Sequence, residues 1–362
     1  MELCLLFVVL VAGAQAQFLL RHGTCANRCF TNNDYAQSCQ CDYDCEDIGN
    51  CCGDFWTRCR GSEYGLVVTT QEMNTFVQGI WDNDVNRIDS SLFTLNYQGK
   101  IISPDISDGA PDRFIQPVGT GLDDLFDTTN TTYHAFIRLL NNYEINVQHD
   151  EHRPEHEIKE EDTFWNTIVQ TKVMQMTFQF LLNNGFIKSD MHAFRTVINE
   201  MWFELYPKSH ATVKSDSGFE HIMIGEKTQH HQHAQQNQSA TIGGFGNWVQ
   251  FYQEEKAGNL DYYGYIKYTQ DPNVVDVLFN WKNALAKGKT FFVGTSPEFD
   301  LALYTVCGLA YPNKDCPIVI NGHRYRVDAT TGRHQEVLQL TSATLKFQDP
   351  SATTTTAPAL DY

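Results

Sequence analysis

The sequence predicts an α+β chain in two folded parts, a small disulfide-framed module and then a large domain that is helical first and sheet-rich later. Three observations carry this. Eight cysteines crowd into the interval from Cys25 to Cys59. Apolar residues then recur at helical spacing through the middle of the chain, and beyond Ile222 they fall into short runs bounded by turn residues. Helices segregated from a run of strands read as α+β. At 362 residues, with 42% hydrophobic and 19% charged residues, the chain has material for a core and is not of disordered composition.

The cysteine-rich stretch has too few apolar residues between its thiols for a core, so crosslinks must hold it. A metal cluster is the competing use of dense cysteines, and the adjacent Cys51–Cys52 pair argues against it. Residues 61–64 form a linker, and the large domain runs from about Gly65 to Phe347. Thr70 to Ile88 is expected as a helix, with Met73, Phe76, Val77, Ile80, Trp81 and Val85 on its apolar stripe. Tyr133 to Tyr143 and Asp162 to Asn183 continue that pattern. Strands are expected at Trp248 to Tyr252, Tyr262 to Tyr268, Phe291 to Gly294 and Cys316 to Ile320. Cys307 and Cys316, the remaining cysteines of this domain, are expected to pair. Residues 348–362, with T-T-T-T-A-P, read as a disordered Thr-rich tail.

The amino terminus reads as an export signal. An apolar run from Leu3 to Ala12 is followed by Ala14-Gln15-Ala16, which predicts a signal peptide over 1–16 with cleavage after Ala16. Cys4 leaves with it, and the ten remaining cysteines suit an oxidising compartment. The sequons at Asn130 and Asn237 are usable on the same route. The run is too short for a comfortable membrane span, so a secreted, monomeric protein is expected. The net charge of −18 argues against a protein that coats itself in nucleic acid, because phosphate contacts need cations. The excess sits upstream, since residues 201–347 hold 13 Lys and Arg against 14 Asp and Glu. The densest acidic run, Asp150 to Asp162, reads as a solvated loop and helix start, with a divalent cation site as the alternative.

Motifs sharpen the picture. Cys25, Cys29, Cys39, Cys41, Cys45, Cys51, Cys52 and Cys59 follow C-x3-C-x9-C-x-C-x3-C-x5-C-C-x6-C, with C-C-G-D-F-W inside it. This spacing resembles a somatomedin B domain, here 21–63, and implies a binding module whose pairing the spacing leaves open. Further on stand S-G-F-E-H (Ser217 to His221), G-F-G-N-W-V-Q-F-Y (Gly244 to Tyr252) and V-G-T-S-P-E-F (Val293 to Phe299). With W-D-N-D-V-N-R (Trp81 to Arg87) and M-W-F-E-L-Y (Met201 to Tyr206), they resemble the poly(U)-specific endoribonuclease family, EndoU, over 65–347. The resemblance implies a nuclease that cuts single-stranded, uridine-containing RNA to 2′,3′-cyclic phosphate and 5′-hydroxyl ends, with manganese as cofactor.

Such cleavage needs a base for the ribose 2′-hydroxyl, an acid for the departing 5′-oxygen and a cation for the charge on phosphorus. The resemblance assigns one proton-transfer role to His221, with Glu220 and Glu226 orienting it or helping to hold a cation. The second motif carries Gly246 where the family has its other histidine, and glycine transfers no proton. His230, His231 and His233, in a stretch longer than is usual for the family, are candidate substitutes; a polar loop around a glycan on Asn237 is the plainer reading. The lysine slot reads A-L-A-K-G-K-T: a gapless match puts Ala286 there, and a one-residue deletion puts Lys287 there. Lys287 is the assignment and Lys289 the second choice. Ser296 or Pro297 is expected at a helix cap, and Thr341, Ser342 and Thr344 replace the segment that reads uracil in the family.

Two readings of function follow from different classes. One is a secreted uridylate-preferring endoribonuclease. The other is an EndoU scaffold without turnover that binds RNA, or acts on an extracellular protein partner through the somatomedin B domain. A protein that binds zinc or copper through its His-rich loop is a third.

Overall fold

The computed structural model describes residues 24–25, 28, 37–42, 45, 50–52, 68–101, 110–146, 151–187, 190–207, 214–228, 240–334 and 337–348. Residues 1–16, expected as a signal peptide, Cys29, Cys59, His230, His231, His233, Asn237 and the residues from 349 on lie outside these residues. The chain divides into two compact units, 1–69 with 178–194, and 70–177 with 195–362.

In the first unit the cysteines are the core. Cys25 bonds Cys41, Cys39 bonds Cys52, and Cys45 bonds Cys51. These sulfurs are buried against one another. Crosslinks here do the work of hydrophobic packing.

The second unit opens with helix α1 (Thr70–Asp82), which buries Met73, Phe76, Val77, Ile80 and Trp81. The expected extension to Ile88 does not form. The chain leaves the helix after Asp82, and Asp84 turns inward to accept the Ser296 amide (3.1 Å). Strands β1 (Phe93–Leu95) and β2 (Ile115–Pro117) pair antiparallel. Helices α2 (Gly121–Asp127), α3 (Thr132–Leu139) and α4 (Glu155–Ile168) follow, and along the chain come α5 (Lys172–Asn183) and α6 (Met191–Trp202), of which 178–194 count with the first unit. Thr131 caps α3 by accepting the His134 amide (3.1 Å). The single helix expected over 162–183 is two, because Thr171 accepts the Met174 amide (3.3 Å) and starts a new one.

The acidic run is less solvated than its composition implies. Glu151 and Glu161 are both buried, with Arg153 pairing Glu161 and reaching Glu204 at 3.1 Å. Another correction concerns Trp248 to Tyr252, which is not a strand but the start of helix α7 (Trp248–Lys256). All five residues are buried, so no alternation marks the period, and the Asn247 side chain caps the helix by accepting from Val249 and Gln250.

After the two-residue strand β3 (Tyr206–Pro207) and β4 (Lys214–Asp216), a five-stranded sheet forms in the order β5-β6-β9-β8-β7. Its strands are β5 (Glu226–Thr228), β6 (Thr241–Gly243), β7 (Leu260–Thr269), β8 (Val274–Trp281) and β9 (Ala284–Phe292). Only the β6–β9 pair is parallel. Phe251 of α7 packs on this sheet against Phe279 (5.2 Å) and Phe291 (5.5 Å). Helix α8 (Pro297–Ala310) is nearly all buried, and its Cys307 bonds Cys316 of β10 as expected. Strands β10 (Lys314–Ile320), β11 (His323–His334) and β12 (Val337–Phe347) close the fold as an antiparallel meander. Among the described residues no helix is long and apolar enough to cross a membrane.

Candidate active site

S-G-F-E-H follows β4 into a five-residue π-type turn, Glu220–Ile224. Ser217 starts the turn by accepting the Glu220 amide on its hydroxyl (3.1 Å), and Gly225 ends it by bonding back to Glu220 O (2.8 Å). Turns of this kind bulge one residue out of a helix and recur where function needs a displaced side chain. Phe219 anchors it, stacked between Phe203 (5.3 Å) and Tyr143 (5.6 Å). Gly218 is required by close approach, since a Cβ there would stand 2.2 Å from Met201 O and 2.8 Å from Leu340 O.

The second motif runs directly beneath this turn. The Phe245 amide donates to His221 O (3.1 Å) and the Gly246 amide to Ile222 O (2.7 Å). Gly244 has φ +58, and a Cβ on it would lie 1.5 Å from His221 O, so no other residue fits. Phe245 itself sits at φ +69, a conformation costly for a bulky residue. Its ring holds it there by packing on Phe279 (4.9 Å) and Trp281 (5.0 Å).

His221 meets Glu226 through Nδ1, as the sequence expects. Glu226 is wholly buried and the imidazole is 16% exposed. A buried carboxylate on Nδ1 fixes the ring and its tautomer and leaves Nε2 to exchange protons. Glu220 is wholly buried in the turn and acts on the carboxyl of Glu151. Burial, the largest cause, pushes the Glu151 carboxyl up to about 7, the Glu144 amide and Glu220 oppose it, and the nearby Asp216 adds to it.

Two members of this group, Asp216 and Glu151, escaped the sequence reading. Asp216 stands one residue before S-G-F-E-H, where its proximity was a usable signal. Glu151 lies far off in sequence, inside the acidic run for which a divalent cation site is the alternative reading; its amide bonds Lys214 O (3.0 Å), which delivers it to the site. Ligand atoms of Asp216, His221 and Glu226 all lie within 4.8 Å of one another. Several carboxylates with one imidazole form a donor set suited to Mg²⁺, Ca²⁺ or Mn²⁺ rather than to a soft metal.

The lysines separate. Ala286, in the gapless slot, is fully buried, and Lys287 is exposed. Between Ala286 and Lys289 strand β9 bulges, with Phe279 opposite Ala286 and Val277 opposite Lys289, so Lys287 and Gly288 share one partner position. Gly288, at φ +62, permits the bulge. The extra residue reverses the facing, and Lys289 rather than Lys287 shares a face with Ala286. Lys289 Nζ donates to Ile242 O (2.9 Å), and burial alone holds its ammonium down to about 8.

T-S-P-E-F caps α8 as expected. Ser296 Oγ accepts the Phe299 amide (3.2 Å) with Pro297 in the first turn. Glu298 and Asp300 are buried beneath it: Glu298 accepts from Asn86 (2.6 Å), and Asp300 from Thr295 and Asn247 (both 3.0 Å). These bonds fasten W-D-N-D-V-N-R, G-F-G-N-W and T-S-P-E-F together, a structural duty. On β12, Thr341 is the extra residue of a bulge between Leu340 and Ser342, and its hydroxyl bonds Thr330 O (3.2 Å). Ser342 and Thr344 alternate with buried Ala343 and Leu345 and lie on the open face of the meander.

Comparison with known proteins agrees with this geometry. Residues 72–343 match the family model for endoribonuclease XendoU, and 23–62 match the somatomedin B domain. The chain is 33% identical to a uridylate-specific endoribonuclease of Bos taurus, over 88% of this chain and 76% of that one. It is 34% identical to a uridylate-specific endoribonuclease of Homo sapiens, over 85% and 73% respectively. It superposes on the solved structure of XendoU, described as a splicing-independent snoRNA-processing endoribonuclease, with a TM-score of 0.61 at 29% identity, covering 76% of this chain and 96% of that one. A π-type turn presenting a carboxylate-held histidine, crossed by a glycine-rich strand end and preceded by a somatomedin B domain, thus has a family: the chain belongs to the XendoU endoribonucleases.

Proposed function

We propose that this chain is an exported endoribonuclease that cuts single-stranded RNA at uridylates by attack of the ribose 2′-hydroxyl, leaving 2′,3′-cyclic phosphate and 5′-hydroxyl ends. The observation that carries the reading is His221, partly exposed and held through Nδ1 by buried Glu226. Its Nε2 takes the 2′-hydroxyl proton. Lys289, on the face that Lys287 does not share, supplies the positive charge for the phosphorane-like state. The names of the relatives support the uridylate preference; the hydroxyls of Thr341, Ser342 and Thr344 stand in the segment assigned to base contact.

Manganese fits the acidic side of the site. Asp216 and Glu226, with the Glu151–Glu220 pair behind them, would hold it. A divalent ion there supplies the positive charge that a cluster of buried carboxylates needs. Export with cleavage after Ala16, glycans on Asn130 and Asn237, and a monomer that meets an extracellular protein through its somatomedin B domain complete the proposal. Asn130 supports it by lying exposed at φ +63, just before the cap of α3.

A specific observation favours a second reading. Gly246 offers no side chain opposite His221, and losing one acid–base group costs about 10²- to 10⁴-fold in rate. On that reading the chain is an RNA-binding scaffold. The deciding experiment is cleavage of a short uridine-containing oligoribonucleotide by purified protein with and without Mn²⁺, with analysis of the product ends. Cyclic-phosphate ends that vanish in His221→Ala support the enzyme. Tight binding without products supports the scaffold.

A further inference from the structure

We propose that Lys289 performs the proton transfer that Gly246 cannot, so that this chain cuts RNA with one histidine and one lysine. The inference rests on the assignment of His221 above and gives Lys289 a chemical duty beyond its charge.

Position comes first. Lys289 and His221 flank the same short strand, β6. The Lys289 ammonium bonds Ile242 O at 2.9 Å, and the next residue, Gly243, packs on the histidine: its Cβ position lies 3.4 Å from His221 Cε1. The bulge at Lys287–Gly288 is what turns Lys289 to this face, and without it Lys289 would point the opposite way. Room comes second. The Cβ position of Gly246 has one neighbour within 4 Å among the described residues, Ile222 O at 3.0 Å, so a side chain there would start close to the turn that carries His221.

Chemistry comes third. A proton donor works best when its pKa lies near the operating pH. An ordinary lysine holds its proton too tightly, whereas burial brings Lys289 to about 8. Among the described residues, the charged groups around it are few. Asp276 of β8, whose Oδ1 stands 3.5 Å from the Cβ position of Gly288, is acted on by Lys267 of β7; Lys287 neighbours it on β9; Glu226 and His221 lie across β6. None of these displaces the lysine titration, for which burial is the sole cause.

The step balances. His221 Nε2 removes the 2′-hydroxyl proton, the 2′-oxygen bonds to phosphorus, and the phosphorus–O5′ bond breaks. The Lys289 ammonium donates its proton to O5′. The enzyme is left with protonated His221 and neutral Lys289, and exchange with water restores both.

The test is a pH–rate profile on one uridine-containing oligoribonucleotide for the natural protein, Lys289→Arg, Lys289→Gln, Gly246→His and the double variant Gly246→His/Lys289→Arg, each checked by thermal melting. Activity of the natural protein should fall as pH rises through about 8, because the donor is then lost. Arginine keeps the charge but releases no proton, so Lys289→Arg should lose about 10²- to 10⁴-fold, as Lys289→Gln does. The double variant should regain activity, with histidine as acid and arginine as cation. Retention of activity in Lys289→Arg, a loss that the double variant does not repair, or a natural profile without the basic limb would each overturn the proposal. Silence of the natural protein beside an active Gly246→His would overturn it while leaving the family assignment of His221 intact. Silence of every variant in folded protein would remove that assignment too.

Discussion

Two groups of buried carboxylates in the large domain look alike in composition and differ in what they face. Under α8, Asp84, Glu298 and Asp300 accept from neutral donors: the Ser296 amide, the Asn86 amide group, the Thr295 hydroxyl and the Asn247 amide group. Beside the π-type turn, Asp216, Glu151, Glu220 and Glu226 face titratable groups instead: the Tyr206 phenol, one another and the imidazole of His221. The first arrangement ties three chain segments into one rigid body. The second sets acids close to one another and to an imidazole that reaches solvent. Burial of acids is common to both, so burial alone does not mark a functional site; the character of the partner does.

The sharpest break between the two is a pair of substitutions. His221→Ala should lower cleavage by about 10²- to 10⁴-fold or more; it also leaves the wholly buried Glu226 without its imidazole, so the rate is read on protein that melting shows to be folded. An unchanged rate would remove His221 from the mechanism. Asp300→Ala should do the reverse in kind. It strips partners from buried Asn247 and Thr295 and should cost about 2–4 kcal/mol of stability, read by denaturant unfolding. If the stability held and only activity fell, the group under α8 would belong to the chemistry.

A pH series sharpens the comparison further. Burial, opposed by the hydrogen bond from Asn86 and aided by nearby Asp84, pushes the Glu298 carboxyl up to about 7. A raised carboxyl binds its proton more tightly in the folded state. Its contribution is therefore complete below about 4.5, the unfolded value, and is lost as pH rises through about 7. Melting measured from pH 5 to 8 should show a loss of stability that Glu298→Gln reduces by up to about 3 kcal/mol, the raised carboxyls of Glu151 and Glu255 supplying the rest. A Gln variant with the same pH dependence would place the titration elsewhere. The smallest expected effect is at the exposed Lys287, where Gln should slow cleavage by about threefold or less, through weakened long-range attraction of RNA. A larger loss would return the catalytic charge to Lys287 and dissolve the role given to the bulge.

Much of the fold was legible in residue patterns, and the failures have physical causes. The stripe from Met73 to Trp81 marked α1 because one face is buried and the other is not. The same logic failed at Trp248 to Tyr252, where burial on all sides erases the period that separates helix from strand. The break near Thr171 was missed because a capping threonine inside a continuous apolar stripe changes direction without changing composition. His221 and Glu226 were legible at the site because the turn that joins them is local, five residues from end to end.

Sequence alone thus determined the two domains, the cysteine module, the motif blocks, the loss of a histidine at Gly246 and the two glutamates, Glu220 and Glu226, offered as partners of His221. These depend on spacing along the chain or on chemistry within one turn. Tertiary structure decided that Glu151 joins the site and that Glu298 and Asp300 brace it from below, because each of these contacts crosses tens of residues or more. It also decided which lysine faces the site. A strand alternates its side chains with period two, and one inserted residue reverses every side chain after it; whether that residue is absorbed in a bulge depends on the neighbouring strand, β8, and not on β9 itself.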